Sequence, residues 1–224
     1  MDQLQKKIAK SFEIIRKAQN LLRFKDAALA WTGGKDSTSM LHLIRTYYHG
    51  RVPYPVVFND SHLEFPEIYS FIESVSKLWE LKLIVVPHEA KDLTTFARSD
   101  PKERLRISRF MKLKAIRTIV SKYKFQALLA AIRWDEHQAR SREKYFSRRS
   151  DHIRIHPMLH FTEKDIWAYI RKYQVPYVSL YDRGYRSLGE APLTRIALPG
   201  EDERAGREPE KEQIMEELRN MGYW

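Results

Sequence analysis

The chain of 224 residues contains no cysteine. This absence excludes a disulfide scaffold, a thiolate zinc site, a cysteine-ligated iron–sulfur cluster and any reaction that needs a cysteine nucleophile. No apolar run approaches the roughly 18–20 residues of a membrane-spanning helix, and no signal-peptide core follows the first residues. We therefore expect a cytoplasmic protein with no membrane segment and no iron–sulfur cluster.

Positive charge is present in excess, and it is confined to one part of the chain. Residues 98–154 hold 17 Lys and Arg against 6 Asp and Glu, whereas the rest of the chain holds 23 of each sign. Such a segment attracts anions, which include nucleotides, sulfate, phosphate and nucleic acids. A solvated basic helix face is the alternative explanation.

Short apolar runs alternate with amphipathic segments along the first two thirds of the chain. This alternation predicts an α/β fold, with a parallel sheet of about five strands and helices on both faces. The predicted strands are 27–31, 56–58, 83–86 and 127–132, and the predicted helices are 3–23, a segment from the turn at 32–37 through Ile44, 66–80 and 102–123.

The later part of the chain is less regular. Thr162 and Asp165 have the spacing of a capping box, which predicts a helix running to about Lys172. Six Pro and Gly residues within 176–200 predict a loop-rich segment, and a charged tail with a short helix near 210–220 follows. We expect one domain over residues 1–195, including the N-terminal helix, and a charged tail over 196–224.

The sharpest motif is Thr-Gly-Gly-Lys-Asp-Ser at residues 32–37, between a predicted strand and a predicted helix. Two glycines let the backbone approach an anion closely, and the amides at the helix N-terminus point toward it. Lys35 adds a charge and Ser37 a hydroxyl. The spacing differs from the Walker A motif, and an ordinary Gly-Gly turn remains the alternative.

These six residues resemble the Ser-Gly-Gly-Lys-Asp-Ser loop of the PP-loop ATP pyrophosphatase superfamily, with Thr32 in place of Ser. The resemblance implies an adenine nucleotide alpha hydrolase-like fold. It also implies a loop that holds the pyrophosphate end of ATP while the α-phosphate is attacked. The products would be an adenylylated substrate and pyrophosphate.

Further segments are similar to the branch that contains PAPS reductases, the ATP sulfurylase small subunit and FMN adenylyltransferase. The resemblance covers about residues 25–195, with Ser61, His62 and Ala131 departing from the usual residues. The matching segments are Asp60 to Glu67, Arg133 to Glu136 with Arg140, His156 to Ile170, and Val175 to Gly189.

The phosphate loop, Asp60 and Arg133 each follow a predicted strand, and ligands of open α/β sheets bind at the carboxyl ends of strands. The resemblance then supplies roles for individual residues. The expected catalytic residues are Lys35, Asp36, Arg133 and Arg186; the expected nucleotide-binding residues are Ala30, Trp31, Thr32, Gly33, Gly34, Ser37, Asp60, Glu67 and Arg140; the expected Mg²⁺ ligands are Asp36 and Asp60.

The missing cysteine separates the activities within this branch. Sulfonucleotide reduction requires a thiol, and Glu190 and Leu193 stand where cluster-bearing members have cysteines. Adenylyl transfer remains, and two segments are similar to the ATP sulfurylase small subunit, although its long insertion is missing. Those segments are 186–194 and the end of the chain, with Glu203 to Arg207, Met215-Glu216 and Gly222 to Trp224.

We therefore predict a sulfate adenylyltransferase-like enzyme that uses ATP and Mg²⁺ and accepts a small anion, sulfate or a sulfonucleotide. Arg133, Arg140 and Arg186 are expected to gather the sulfate and the α-phosphate. The resemblance also implies a GTPase-like large subunit as a partner, and a homo-oligomer is possible. Alternative functions are FMN adenylylation, nucleic-acid sulfur modification, and binding of a sulfonucleotide without turnover.

Overall fold

The computed structural model describes residues 2–207, which form a single mixed sheet flanked by helices. The predicted helix near 210–220 and the motifs at 215–216 and 222–224 lie outside these residues. The helices are α1 (Gln3–Leu21), α2 (Lys35–Tyr47), α3 (Pro66–Leu78), α4 (Ala90–Arg98), α5 (Pro101–Tyr123) and α6 (Glu163–Tyr173); the strands are β1 (Ala27–Ala30), β2 (Val56–Asp60), β3 (Leu83–Pro87), β4 (Ala127–Leu129), β5 (Phe146–Arg148) and β6 (Ile153–Ile155).

The strand order is β3-β2-β1-β4-β6-β5, and every pairing is parallel except that of β5 with β6. The predicted α/β fold is therefore confirmed, with six strands rather than about five. From β1 the chain moves outward through β2 and β3, and β4 then returns to the other side of β1. The carboxyl ends of β1 and β4 consequently diverge, which creates the crevice in which ligands of such sheets bind.

Side chains of the central strands alternate between two faces, as the pleat requires. Ala27 and Leu29 of β1 face the larger core, which is built mainly from α1, α2, α3 and α6. Ala28 faces a smaller core, in which Ile119 and Val120 of α5 cover the sheet. Helices thus cover both faces, and α5 is the main cover over the smaller core.

The sequence patterns place several element ends correctly and miss three of the helices and strands. Thr162 and Asp165 form the predicted capping box at the start of α6. Strand β4 ends at Leu129 rather than at residue 132, although the Ala130 amide still donates to the Ile155 carbonyl at 2.9 Å. Helix α4 and the β5–β6 hairpin were not predicted.

Among residues 2–207, no helix combines the length and the apolar composition needed to cross a bilayer.

Lowering the pH from 7 to 5 is expected to reduce the free energy of unfolding, in part through His42. This side chain lies between α2 and α6, with Nδ1 2.9 Å from the Tyr169 hydroxyl. Burial lowers the pKa of His42 to about 4. The unfolded chain therefore binds a proton that the folded chain does not, and stability is lost as the pH falls from about 6.5 toward 4.

Urea unfolding at pH 7 and at pH 5 measures this loss, which should be smaller in His42→Gln than in the wild type. His49→Asn is the matched control, because His49 is exposed and its φ of 53° suits asparagine. The control should lose as much stability between the two pH values as the wild type. Equal losses in His42→Gln and the wild type would contradict the role given to His42.

Candidate functional site

The predicted phosphate loop lies between β1 and α2, at the crevice between the diverging strands. Gly33 adopts a φ of 75°, and a Cβ at this position would lie 3.2 Å from Cγ2 of Ile68. Gly34 caps α2 with extended backbone, and the amide of Lys35, the first residue of the helix, donates to the Tyr181 hydroxyl at 2.8 Å. The Ser37 hydroxyl closes the loop by donating to the Gly34 carbonyl at 3.1 Å. The loop therefore has the backbone geometry of an anion-binding turn.

Lys35 is almost completely buried, with 1% of its side chain exposed. Its Nζ donates to the Arg186 carbonyl at 2.8 Å and to the Glu203 carboxylate at 2.5 Å, and it lies 3.2 Å from Asp36. Burial works against the charge, but the Asp36 and Glu203 carboxylates and the Tyr181 hydroxyl raise the pKa of Lys35. The lysine is thus held as a buried cation.

Arg133 is the second buried cation, and it reaches the loop from the segment after β4. Its guanidinium contacts the carboxylates of Asp36 and Glu203, and its Nε donates to Asp135 at 3.0 Å. No part of its side chain is exposed. Charged groups buried in this way are costly unless they are paired. The positive charge of Arg133 therefore requires anions beside it.

A further cluster of ion pairs surrounds Glu136, which lines the cavity described below. Arg140 and Arg204 both contact its carboxylate, the latter at 2.7 Å. Burial opposes ionisation of Glu136, but the two arginines lower its pKa. The site therefore combines several buried cations with carboxylates that lie between them.

These groups border a cavity of about 290 Å³ that extends beneath α5. Part of its lining is apolar, which suits a flat heteroaromatic ring, and the loop and the cations form another part. The lining includes Ala30, Trp31, Thr32, Gly34, Lys35, Asp36, Ser37, Val57, Glu64, Lys112, Ile116, Ile119, Leu128, Glu136, Arg140, Arg154, Leu188, Arg204 and Arg207.

Five of the predicted site residues are not among the lining residues of this cavity, namely Gly33, Asp60, Glu67, Arg133 and Arg186. Gly33 belongs to the loop itself, and Arg133 contacts the loop through the Asp36 carboxylate. Arg186 offers its carbonyl to Lys35, while its guanidinium pairs with Glu163 at 2.7 Å. Glu67 pairs with Arg183 at the surface. The predicted ligand roles of these residues remain predictions.

The two predicted magnesium ligands follow neighbouring strands and have different partners. Asp36 contacts Lys35 and Arg133, whereas the Asp60 carboxylate accepts hydrogen bonds from Tyr69 and from the His62 amide, both at 2.8 Å. Within residues 2–207, no group of three or more His, Cys, Asp or Glu is arranged to hold a metal. Carboxylate oxygens suit Mg²⁺, which binds through one or two carboxylates together with substrate phosphates.

Several residues of the site had no predicted role. Lys112 of α5 and Arg154 of β6 belong to the basic segment 98–154, but charge counting cannot show which cations face inward. Glu203 and Arg204 belong to the segment that resembles the end of the ATP sulfurylase small subunit, and the resemblance assigned no role to either residue. Glu203 lies 168 residues from Lys35 in the chain, so no local pattern connects them.

Comparison with known proteins extends the resemblance to most of the chain. Residues 26–196 match the family described as the phosphoadenosine phosphosulfate reductase domain. The sulfate adenylyltransferase subunit 2 of Aeromonas hydrophila is 27% identical over 99% of this chain and 81% of its own length. The protein of the same name from Ectopseudomonas mendocina is 29% identical over 88% of this chain and 71% of its own.

Two solved structures share the fold. The phosphoadenylyl-sulfate reductase of Candida auris, in a phosphate complex, has a TM-score of 0.69 and 20% identity, covering 83% of this chain and 90% of its own. The FMN adenylyltransferase of Candida glabrata in complex with ATP also has a TM-score of 0.69, with 21% identity, covering 87% of this chain and 63% of its own.

Gly33→Ala is expected to disrupt the loop and to weaken binding of inorganic pyrophosphate. A left-handed backbone costs a residue with a side chain about 1–2 kcal/mol, and the new methyl group would press on Ile68. Calorimetric titration with pyrophosphate measures the loss.

Gly50→Ala provides the matched control. Its φ is 92°, but a Cβ there meets no atom within 4 Å. It should lower the melting temperature through backbone strain while pyrophosphate binding stays at the wild-type level. Equal binding by Gly33→Ala and Gly50→Ala would contradict the role of the loop.

Proposed function

Because the chain belongs to the phosphoadenosine phosphosulfate reductase domain family, we propose that it is an adenylyltransferase of the sulfate adenylyltransferase type. It transfers the adenylyl group of ATP to sulfate and releases pyrophosphate. The observation that carries the proposal is the pair of buried cations, Lys35 and Arg133, beside the phosphate loop. This arrangement suits a polyanion better than it suits a neutral substrate.

ATP binds with its β- and γ-phosphates on residues 32–37 and its base in the apolar part of the cavity. Val57, Ile116 and Leu128 form part of that wall. The loop amides and Lys35 then lie where charge develops on the departing pyrophosphate, and such preorganised donors lower the barrier most effectively.

Sulfate attacks the α-phosphorus in line with the leaving pyrophosphate. A bond forms between a sulfate oxygen and the α-phosphorus, and the bond from that phosphorus to the bridging oxygen breaks. Sulfate is already an anion, so no general base is required, and positioning dominates the rate. Arg140 and Arg154, which line the cavity, supply the positive charge that a second anion needs.

Reductase chemistry does not fit this chain. The family takes its name from a reductase, but a thiol is needed for that reaction, and the sequence has none. At a position where cluster-bearing members of the branch have a cysteine, Glu190 is buried and contacts Ser108 at 2.7 Å and Lys112 at 2.9 Å. The position therefore holds an ion pair between the late loop segment and α5.

Magnesium fits the proposal through the carboxylates of Asp36 and Asp60. When bound, the ion would neutralise part of the phosphate charge.

A partner subunit forms part of the proposal, because the relatives are named subunit 2 of sulfate adenylyltransferase. That name implies a larger assembly, for which the resemblance suggests a GTPase-like chain. The isolated chain is expected to bind ATP and to catalyse reversible adenylyl transfer, whereas net synthesis of the adenylylated product at an efficient rate would need the partner.

The proposed reaction is tested by ATP–pyrophosphate exchange in the presence of sulfate or molybdate. Exchange is expected in the wild type and should fall about 100- to 1,000-fold in Lys35→Ala, the loss typical of removing one preorganised donor to a transition state. Melting temperatures establish that the variant is folded. FMN in place of sulfate, with detection of FAD, tests the alternative that the shared fold with FMN adenylyltransferase suggests.

Lys77→Ala is the control for the loss of a lysine, because Lys77 is 75% exposed on α3 and pairs with Glu73 one turn earlier on the same helix. It should exchange at the wild-type rate. Absence of exchange with every oxyanion, together with ATP binding that is unchanged in Lys35→Ala, would overturn the proposal. Formation of FAD from FMN, with no exchange in the presence of sulfate or molybdate, would identify FMN rather than sulfate as the acceptor.

A further inference from the structure

Residues 201–207, here called the strap, border the candidate site, because Arg204 and Arg207 line the cavity and Glu203 contacts the phosphate loop. Glu203 extends from the strap to the phosphate loop, where its carboxylate contacts Lys35 at 2.5 Å and also contacts Arg133. Only 10% of its side chain is exposed. One carboxylate of the chain therefore bridges the two buried cations of the site.

Other contacts hold the strap in this position. Arg204 pairs with Glu136 at 2.7 Å, and Arg207 donates to the Leu188 carbonyl. Gly206 packs so closely that a Cβ there would lie 2.2 Å from the Arg195 carbonyl oxygen, and its own carbonyl accepts from the Arg195 amide at 2.9 Å. Three other residues of the strap thus help to hold Glu203 in place, so its position does not depend on its own ion pairs alone.

The contacts of Glu203 are those that a phosphate group would make. A carboxylate and a phosphate oxygen both accept charge-assisted hydrogen bonds from lysine and arginine. Lys35 and Arg133 cannot give the same donors to Glu203 and to a phosphate at once. An anionic ligand that uses both cations must therefore displace the carboxylate.

We propose that Glu203 is an internal substitute for a phosphate group, and that the strap closes the anion site until a nucleotide or pyrophosphate displaces it. The inference rests on the proposed function, because it takes the loop to be the phosphate site. Displacement moves the strap away from the cavity, which Arg204 and Arg207 line.

This arrangement has two opposing consequences. Buried cations without an anion are strongly destabilising, so Glu203 stabilises the protein without ligand. At the same time, only the fraction of molecules with an open strap is competent to bind, and the apparent affinity falls by that fraction. A strap that is open in about one molecule in ten would weaken binding about tenfold.

The test compares pyrophosphate binding in the full chain and in three variants, by calorimetric titration with Mg²⁺ present. Glu203→Gln removes the competing charge and should bind pyrophosphate on the order of tenfold more tightly, with a lower melting temperature in the absence of ligand. Glu203→Asp keeps the charge but is one methylene shorter, so it cannot reach both cations. It should also bind more tightly than the wild type.

Glu201→Gln is the matched control from the same strap. The Glu201 carboxylate pairs with Arg195 at 2.9 Å on the surface, and its loss changes the net charge as Glu203→Gln does. It should bind pyrophosphate as the wild type does. Equal tightening in Glu201→Gln and Glu203→Gln, with none in Glu203→Asp, would show that net charge alone is responsible and would overturn the proposal.

Hydrogen exchange gives a readout independent of affinity. Saturating pyrophosphate should speed amide exchange in residues 201–207 of the wild type, whereas Glu203→Gln should exchange fast with or without ligand. Weaker pyrophosphate binding by Glu203→Gln, or slower exchange of the strap on binding, would make Glu203 a ligand-binding group and overturn the proposal.

Failure of the proposed function has a different signature. If the loop is not a phosphate site, the wild type, Glu203→Gln and Lys35→Ala would bind pyrophosphate equally weakly. If only the strap proposal fails, the wild type binds pyrophosphate in a manner that depends on Lys35, and the Glu203 variants do not differ from it.

Discussion

The burial of Lys35 and Arg133 at one end of the sheet is the constraint on which the rest of the site depends. Two cations with at most 1% of their side chains exposed need anions within contact distance. The chain supplies Asp36 and Glu203 for this purpose. A site built in this way is already arranged for a negatively charged ligand, because exchange of one anion for another leaves the charge balance intact.

This constraint explains part of the excess of positive charge in one segment of the sequence. Residues 98–154 carry the whole excess of Lys and Arg, and several of these cations, including Lys112, Arg140 and Arg154, line the cavity. Others, such as Arg106 and Lys122 on α5, remain exposed. The excess is therefore divided between the lining of the cavity, which is the proposed anion site, and a solvated helix face.

Local patterns predicted the parts of the fold that are locally determined. The strand–loop–helix unit around residues 32–37 and the capping box at Thr162 depend on neighbours within a few residues. Strands β5 and β6 have three residues each, which is too short for a period to be read. Helix α4 has nine residues and buries only Phe96; about two and a half turns are too few to stand out from the neighbouring loops.

The arrangement of charges within the site could not be predicted, because its members come from distant parts of the chain. Glu203 contacts Lys35 and Arg133 because the loops that follow α6 return to the carboxyl end of the central strands. The buried pair of Glu190 with Lys112 ties those same loops to α5, the main helix over the smaller core. The late loops therefore connect both halves of the cavity, its phosphate end through Glu203 and its apolar end through α5. The strap is bonded to these loops, because the Arg195 amide donates to the Gly206 carbonyl. The proposed movement of the strap would therefore act on the same loops that Glu190 ties to α5.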